Sequence, residues 1–173
     1  MLEVSEEFTY GELKKMAFTD ELTQLPNYRH FKYSFKQFIH KCQETESEFA
    51  IIFMDVDKFK TINDTYGHLI GDHILCQFAF RLQQVAREYH LHVYRKSGDE
   101  FLILVDDVSI LLEMLRTIQS AFRRMFVVQN IPIYCNISMG YSVYPRHGTT
   151  EFDLIRVADK NMYANKSRDA IRS

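Results

Sequence analysis

Four carboxylates stand in two short segments far apart in the 173-residue chain: Asp55 and Asp57 end the apolar run "FAIIFMDVD", and Asp99 and Glu100 lie inside "RKSGDEF". An apolar run that stops in acids reads as a buried strand leaving the core, which puts Asp55 at a strand end. A tight turn between two apolar runs accounts for Gly98 alone, and the acids beside it need another reason. Were the two segments to lie side by side, Asp55 and Asp99 would converge at one edge of a sheet. Like charges at about 4 Å repel even at a moderate effective dielectric, and a hard divalent ion with oxygen ligands relieves that repulsion, Mg²⁺ or Mn²⁺ being the natural choice. Taken singly, each acid has a plainer role in solvating a strand end or decorating a turn. A calcium loop is excluded for "DVDKFKTINDTY", because Phe59, Lys60 and Tyr66 occupy the places of an oxygen ligand, the glycine and the bidentate glutamate.

The elements that must position these acids follow from periodicity. Residues 6 to 18 suit a short amphipathic helix with Phe8, Leu13, Met16 and Ala17, too small for its own core and fit to end a linker. Phe31, Phe35, Phe38, Ile39 and Cys42 fall at helical spacing from His30 to Cys42. After "GHLIGD" a second long helix carries Ile74, Leu75, Phe78, Leu82, Val85 and Tyr89 on one face. "HVYRK" and "FLILV" flank so short a segment that they form an antiparallel hairpin with Gly98 and Asp99 at its tip. Ser109 is the expected N-cap of a further helix through Leu111, Leu115, Ile118, Phe122 and Met125. From Ile131 to Val143 every odd position is apolar, the pattern of one half-buried strand. Thr150 and Asp153 approximate a capping box for a last helix with Leu154, Ile155, Ala158 and Met162 inward. The order helix, strand, helix, hairpin, helix, strand, helix suits an α+β fold, an antiparallel central sheet flanked by helices.

Composition narrows the function. A hydrophobic fraction of 46% with 25% charged residues fits one compact domain, and a net charge of −2 lacks the basic footprint of a nucleic-acid binder. Cys42, Cys76 and Cys135 are odd in number and far apart, which reads as core thiols in a reducing, cytoplasmic compartment. No signal pattern opens the chain and no apolar run reaches the roughly 18 residues that span a bilayer, although a longer parent chain can be anchored elsewhere. "HLH" at 90–92 reads as a loop entering a strand, since no further Cys or His stands at ligand spacing.

"DVDKFKTINDTYGHLIGD" and "RKSGDEF" together resemble the GGDEF family of bacterial diguanylate cyclases, and "TDELTQLPNYRHF" and "ADKNMYANK" are similar to that family's opening segment and closing helix. The resemblance covers about residues 18 to 168. It implies the adenylate-cyclase and polymerase palm fold, with a ferredoxin-like core. It also implies condensation of two GTP molecules into cyclic di-GMP with release of two pyrophosphates, at a site completed by a second copy of the domain. By position, Asp55, the Val56 carbonyl and Asp99 would hold the metal, and Glu100 would assist as a metal-site or proton-accepting group. Asn63 and Asp72 would bind the guanine edge, although Asp72 also suits a helix cap. The backbone at Lys58 and Phe59, the turn at Gly98, and Lys60 and Lys166 would serve the phosphates. Residues 1–17 would end an upstream sensory segment.

Three positions depart from the family pattern. Ser97 replaces the first glycine of the signature. Asp169 and Ala170 stand where the closing segment has Gly and a phosphate-binding Arg, leaving Arg168 or Arg172 as substitutes; one lost charge-assisted contact costs about 1.5–3 kcal/mol. "EYHL" at 88–91 replaces the Arg-x-x-Asp product-inhibition motif. The competing expectation is a degenerate regulatory domain that holds GTP, or a partner, without turnover.

Overall fold

The computed structural model describes residues 8–172, with side chains described through residue 166. The elements in chain order are α1 (Tyr10–Phe18), α2 (Tyr28–Thr45), β1 (Phe49–Val56), α3 (Phe59–Tyr66), α4 (His68–Tyr89), β2 (His92–Ser97), β3 (Glu100–Val105), α5 (Leu111–Ala121), β4 (Phe126–Val128), β5 (Ile131–Ile133), β6 (Ile137–Tyr144) and α6 (Glu151–Arg172). The main sheet has the order β2-β3-β1-β6 and is antiparallel throughout, so the expected α+β architecture holds.

Strand alternation divides the core into two layers. The even residues of β1, Ala50, Ile52, Met54 and Val56, pack with Ile74, Phe78 and Leu82 of α4 and with Met114 and Ile118 of α5. The odd residues Phe49, Ile51 and Phe53 pack with Phe31, Phe35 and Phe38 of α2 and with Leu154, Ala158 and Met162 of α6. The same period carries Asp55 onto the α2/α6 side just as the apolar run ends.

Several expectations are corrected. The odd-even pattern from Ile131 to Val143 belongs to two strands in two sheets: β5 pairs with β4, and β6 joins the main sheet beyond a break at 134–136. β6 is buried on both faces, not one, because its small residues Ser138, Gly140 and Ser142 lie under α6. A Cβ on Gly140 would stand 2.1 Å from the Met162 backbone nitrogen and 2.2 Å from the Ala158 carbonyl oxygen, so glycine alone permits that approach. Asn161 and Asn165 donate to the Tyr141 and Met139 carbonyls at 3.0 Å each, covering the edge that β6 would otherwise expose.

The helix expected through Met125 ends at Ala121, and its last apolar residues turn into β4, where Phe126 is fully buried. Asp107, not Ser109, supplies the cap: it accepts from the Ser109 N–H at 2.9 Å at the head of a short 3₁₀ turn, Val108–Ile110. The second long helix begins at His68, and α3 precedes it with Gly67 shared between the two. Asp72 therefore lies inside α4, which removes its reading as a helix cap.

The N-terminal helix is observed as α1, with a Thr9/Glu12 capping box and no buried residue; residues 1–7 of the expected linker lie outside the described residues. Phe18 ties it to α2 by an edge contact with His30 and a tilted one with Tyr33. Cys42 and Cys135 are buried and Cys76 is half-buried, all free thiols. No helix is long and apolar enough to cross a membrane among the described residues.

Candidate active site

β1 and β3 pair so that Asp55 stands opposite Glu100, and directly opposed residues share a face of the sheet. The hairpin tip reaches the same edge, where the Val56 N–H donates to the Asp99 carbonyl at 3.3 Å. Burial, and then the negative charge of Asp55, push the Asp99 carboxyl above its ordinary range, with Glu100 adding to the rise and Lys166 opposing it. The end of β1 with Asp55 and the hairpin tip with Asp99 thus share one edge of the sheet.

Lys166 crosses to this edge from α6. Its Nζ lies 2.5 Å from Asp55 Oδ1 and 3.1 Å from Asp57 Oδ1. Burial disfavours its charge, but the hydrogen bonds and charges of Asp55 and Asp57 outweigh that and raise its pKa. Ser138 of β6 donates to Asp57 at 2.7 Å, so Asp57 is held by its neighbours and points into the same cluster.

The donor set suits a hard divalent ion: oxygen atoms only, the carboxylate of Asp55 and the hairpin tip with Asp99 at one partly buried edge, and one ammonium already drawn in to Asp55. Among the described residues, no three His, Cys, Asp or Glu side chains are gathered around one point. Glu100 explains the shortfall, because its Oε2 accepts from Lys96 Nζ at 2.6 Å and from Ser97 Oγ at 2.8 Å.

The remaining sequence-derived positions fall beside this edge. Lys58 adopts a left-handed backbone, φ 57°, at the turn from β1 into α3, with no side-chain cap on the helix. The free N–H groups of the first helical turn are an anion-binding feature, and Phe59 and the exposed Lys60 open that turn. Asn63 of α3 lies against Gly71 of α4; a Cβ there would meet Asn63 Oδ1 at 1.9 Å and the Phe59 ring at 3.2 Å. Asp72 follows Gly71 on the exposed surface, so Asn63 and Asp72 border one seam between α3 and α4.

Two clefts flank the acids. One, of about 760 Å³, lies between α3 and the β5–β6 link and is walled by Asp57, Lys58, Thr61, Tyr134, Asn136 and Lys166 among others. The other, of about 650 Å³, lies between α2 and α6 and includes Phe53, Lys96, Glu100 and Phe152. Of the sequence-derived site residues only Lys58, Glu100 and Lys166 line a cleft, and Asp55, Val56, Phe59, Lys60, Asn63, Asp72, Gly98 and Asp99 line neither. The side chains of Arg168, Asp169, Ala170 and Arg172 lie outside the described residues.

Sequence reasoning missed the bracket that holds the hairpin. Arg95 donates from Nε and Nη2 to the Gly98 carbonyl, at 3.0 and 2.8 Å, and from Nη1 to Asp20 at 2.8 Å. Asp20 also accepts from the Thr23 N–H and hydroxyl, and the Arg95 N–H donates to the Pro26 carbonyl. Burial works against the Asp20 charge, but the hydrogen bonds from Thr23 and Arg95 outweigh it and lower its pKa. The available signal was the Asp-x-x-Thr turn pattern at 20–23. At the tip itself, Gly98 has φ +51° while Ser97 is not among the positive-φ residues, so a side chain at 97 costs no backbone strain.

Residues 17–171 match the family described as diguanylate cyclase, GGDEF domain. The chain is 32% identical over 160 residues to the diguanylate cyclase TpbB of Pseudomonas aeruginosa, covering 90% of this chain and 37% of that protein. It is 32% identical over 156 residues to the cyclic di-GMP phosphodiesterase PdeR of Escherichia coli, covering 89% and 23%. The solved GGDEF domain of TpbB, also called YfiN, superposes with a TM-score of 0.80 at 30% identity, over 87% of this chain and 89% of that one. The chain spans 20% to 40% of the length of the curated relatives it matches. With the antiparallel sheet and its covering helices in common, the chain belongs to the GGDEF family of diguanylate cyclase domains and has the cyclase palm fold.

Proposed function

We propose that this chain is a working diguanylate cyclase module that condenses two GTP molecules into cyclic di-GMP and two pyrophosphates. The observation that carries the reading is the meeting of the β1 end, with Asp55, and the hairpin tip, with Asp99, at one sheet edge, in a chain of this family. Asp55, Asp99 and the Val56 carbonyl would hold Mg²⁺ or Mn²⁺, which when bound polarises phosphoryl oxygens and acidifies a 3′-hydroxyl.

The chain's own groups do the rest. Asn63 and Asp72 bind the guanine edge, where a carboxylate accepting two N–H donors satisfies guanine and leaves adenine unpaired. The backbone at Lys58 and Phe59, the turn at Gly98 and the Lys60 ammonium hold phosphate oxygens. Lys166, drawn to the edge by Asp55 and Asp57, offers its charge to the same phosphates. Glu100 accepts the proton of the attacking hydroxyl or assists at the metal site. In each half-reaction the 3′-oxygen of one GTP bonds the α-phosphorus of the other, the bond to pyrophosphate breaks, and the hydroxyl proton leaves.

One domain holds one GTP, so two copies must face each other. The exposed Tyr10, Leu13 and Met16 of α1 offer a pairing surface, driven in a longer parent by an upstream sensory segment. A cytoplasmic setting accords with the free thiols, and the parent would be membrane-anchored where such an anchor precedes residue 1.

A second reading, GTP binding without turnover, has specific support in Ala170 at the phosphate-binding Arg position and in Glu100 drawn toward Lys96. Incubation with GTP and Mg²⁺ or Mn²⁺ followed by chromatography separates the two. Cyclic di-GMP in the wild type and none in Asp99→Ala supports the cyclase; tight GTP binding with no product at high protein concentration supports the second.

A further inference from the structure

Glu100 is bound twice on one oxygen: the Lys96 ammonium donates at 2.6 Å and the Ser97 hydroxyl at 2.8 Å, both to Oε2. The local backbone makes this possible. The β2–β3 register slips between Arg95 and Ser97, an irregularity that leaves Lys96 without a cross-strand partner and places Ser97 opposite Glu100. Lys96 lies with its ammonium 5.4 Å from the centre of the Phe53 ring, so its charge is anchored on the α2/α6 side of the sheet. Glu100 is drawn the same way and lines the cleft between α2 and α6.

We infer that Ser97 is a positioning residue, a latch that together with Lys96 engages the Glu100 carboxylate, so that a divalent ion at the Asp55/Asp99 edge must compete for it. This rests on the reading of that edge as the metal site. Glu100 stands directly opposite Asp55 in the β1–β3 ladder, on the same face of the sheet. The serine at this signature position is thereby a control on the site rather than a harmless replacement of glycine.

Ser97 gives the clean test, because removing Lys96 would also delete a positive charge near the edge and tighten cation binding for that reason alone. Ser97 is exposed and its hydroxyl has no other partner among the described residues, so Ser97→Ala leaves the fold intact. The readout is Mn²⁺ affinity in the presence of GTP, from the free-ion electron paramagnetic resonance signal, for wild type, Ser97→Ala, Ser97→Thr and Asp55→Asn. One partly exposed hydrogen bond to a charged group corresponds to about a threefold to fivefold change. The latch predicts Ser97→Ala binding Mn²⁺ that much more tightly than wild type, Ser97→Thr matching wild type through its hydroxyl, and Asp55→Asn losing the site. Binding by Ser97→Ala where wild type shows none supports the latch in stronger form. Equal or weaker binding by Ser97→Ala beside a wild type that binds overturns the latch and leaves the metal site standing. Absence of Mn²⁺ binding in both overturns the latch and the metal site together.

Discussion

Asp99 is expressed in the fold at a cost, since burial and Asp55 both disfavour its charge. A carboxyl whose pKa is raised by folding binds its proton more tightly in the folded state. Its contribution to stability is present below the unfolded pKa and is lost as the pH rises through the folded one. Asp99→Asn is therefore expected to raise the melting temperature at neutral pH, with the gap to wild type closing as the pH falls into the ordinary carboxylate range. Differential scanning calorimetry across pH checks this, and an unchanged or lower melting temperature at pH 7 contradicts it. Asp20 has the opposite sign: its lowered pKa gives stability that is present above the unfolded value and lost as the pH falls through the folded one. Its partner Arg95 is 11% exposed and bridges Asp20 to the hairpin tip. Arg95→Ala removes that bridge at about 2 kcal/mol, or roughly 4–8 °C in melting temperature for a domain of this size, with a deficit that shrinks in acid.

At the scale of elements, the contact between β6 and α6 matters because α6 carries Lys166 to the acidic edge. Gly140→Ala forces a methyl group against two backbone atoms that cannot rotate aside. The expected loss is about 3 kcal/mol, a fall of roughly 6–12 °C in melting temperature, accompanied by weaker GTP binding as Lys166 is displaced. Denaturant unfolding and a GTP titration measure the two effects, and a melting temperature within about 2 °C of wild type would falsify the close-packing account. This element also shows what the sequence could and could not disclose. The alternation from Ile131 to Val143 announces strand, but a period of two is blind to which sheet a residue joins, and to the break at 134–136 that divides β5 from β6. Phe122 to Met125 keep helical spacing by chance of composition while Phe126 is claimed by the core, and tertiary burial wins over local period. The place of Asp55 near a strand end and of Asp99 in the hairpin turn was legible from the apolar runs around them, whereas what the acids do there rested on the family resemblance. The Asp20–Arg95 bracket and the Lys96–Glu100–Ser97 cluster were not legible, because they depend on register and on a slip in one strand that no local pattern encodes.

For the whole molecule, one domain presents one edge with these acids, and under the proposed function joining two GTP molecules needs two such edges. The rate of cyclic di-GMP formation per chain, followed by chromatography at fixed saturating GTP and Mn²⁺ over a wide range of protein concentration, tests this most directly. The account predicts a per-chain rate that climbs with concentration before levelling off as pairs form, and no product from Asp99→Asn at any concentration. Contradiction would come from wild-type protein that makes no cyclic di-GMP even at the highest concentration, or from Asp99→Asn making it as fast as wild type.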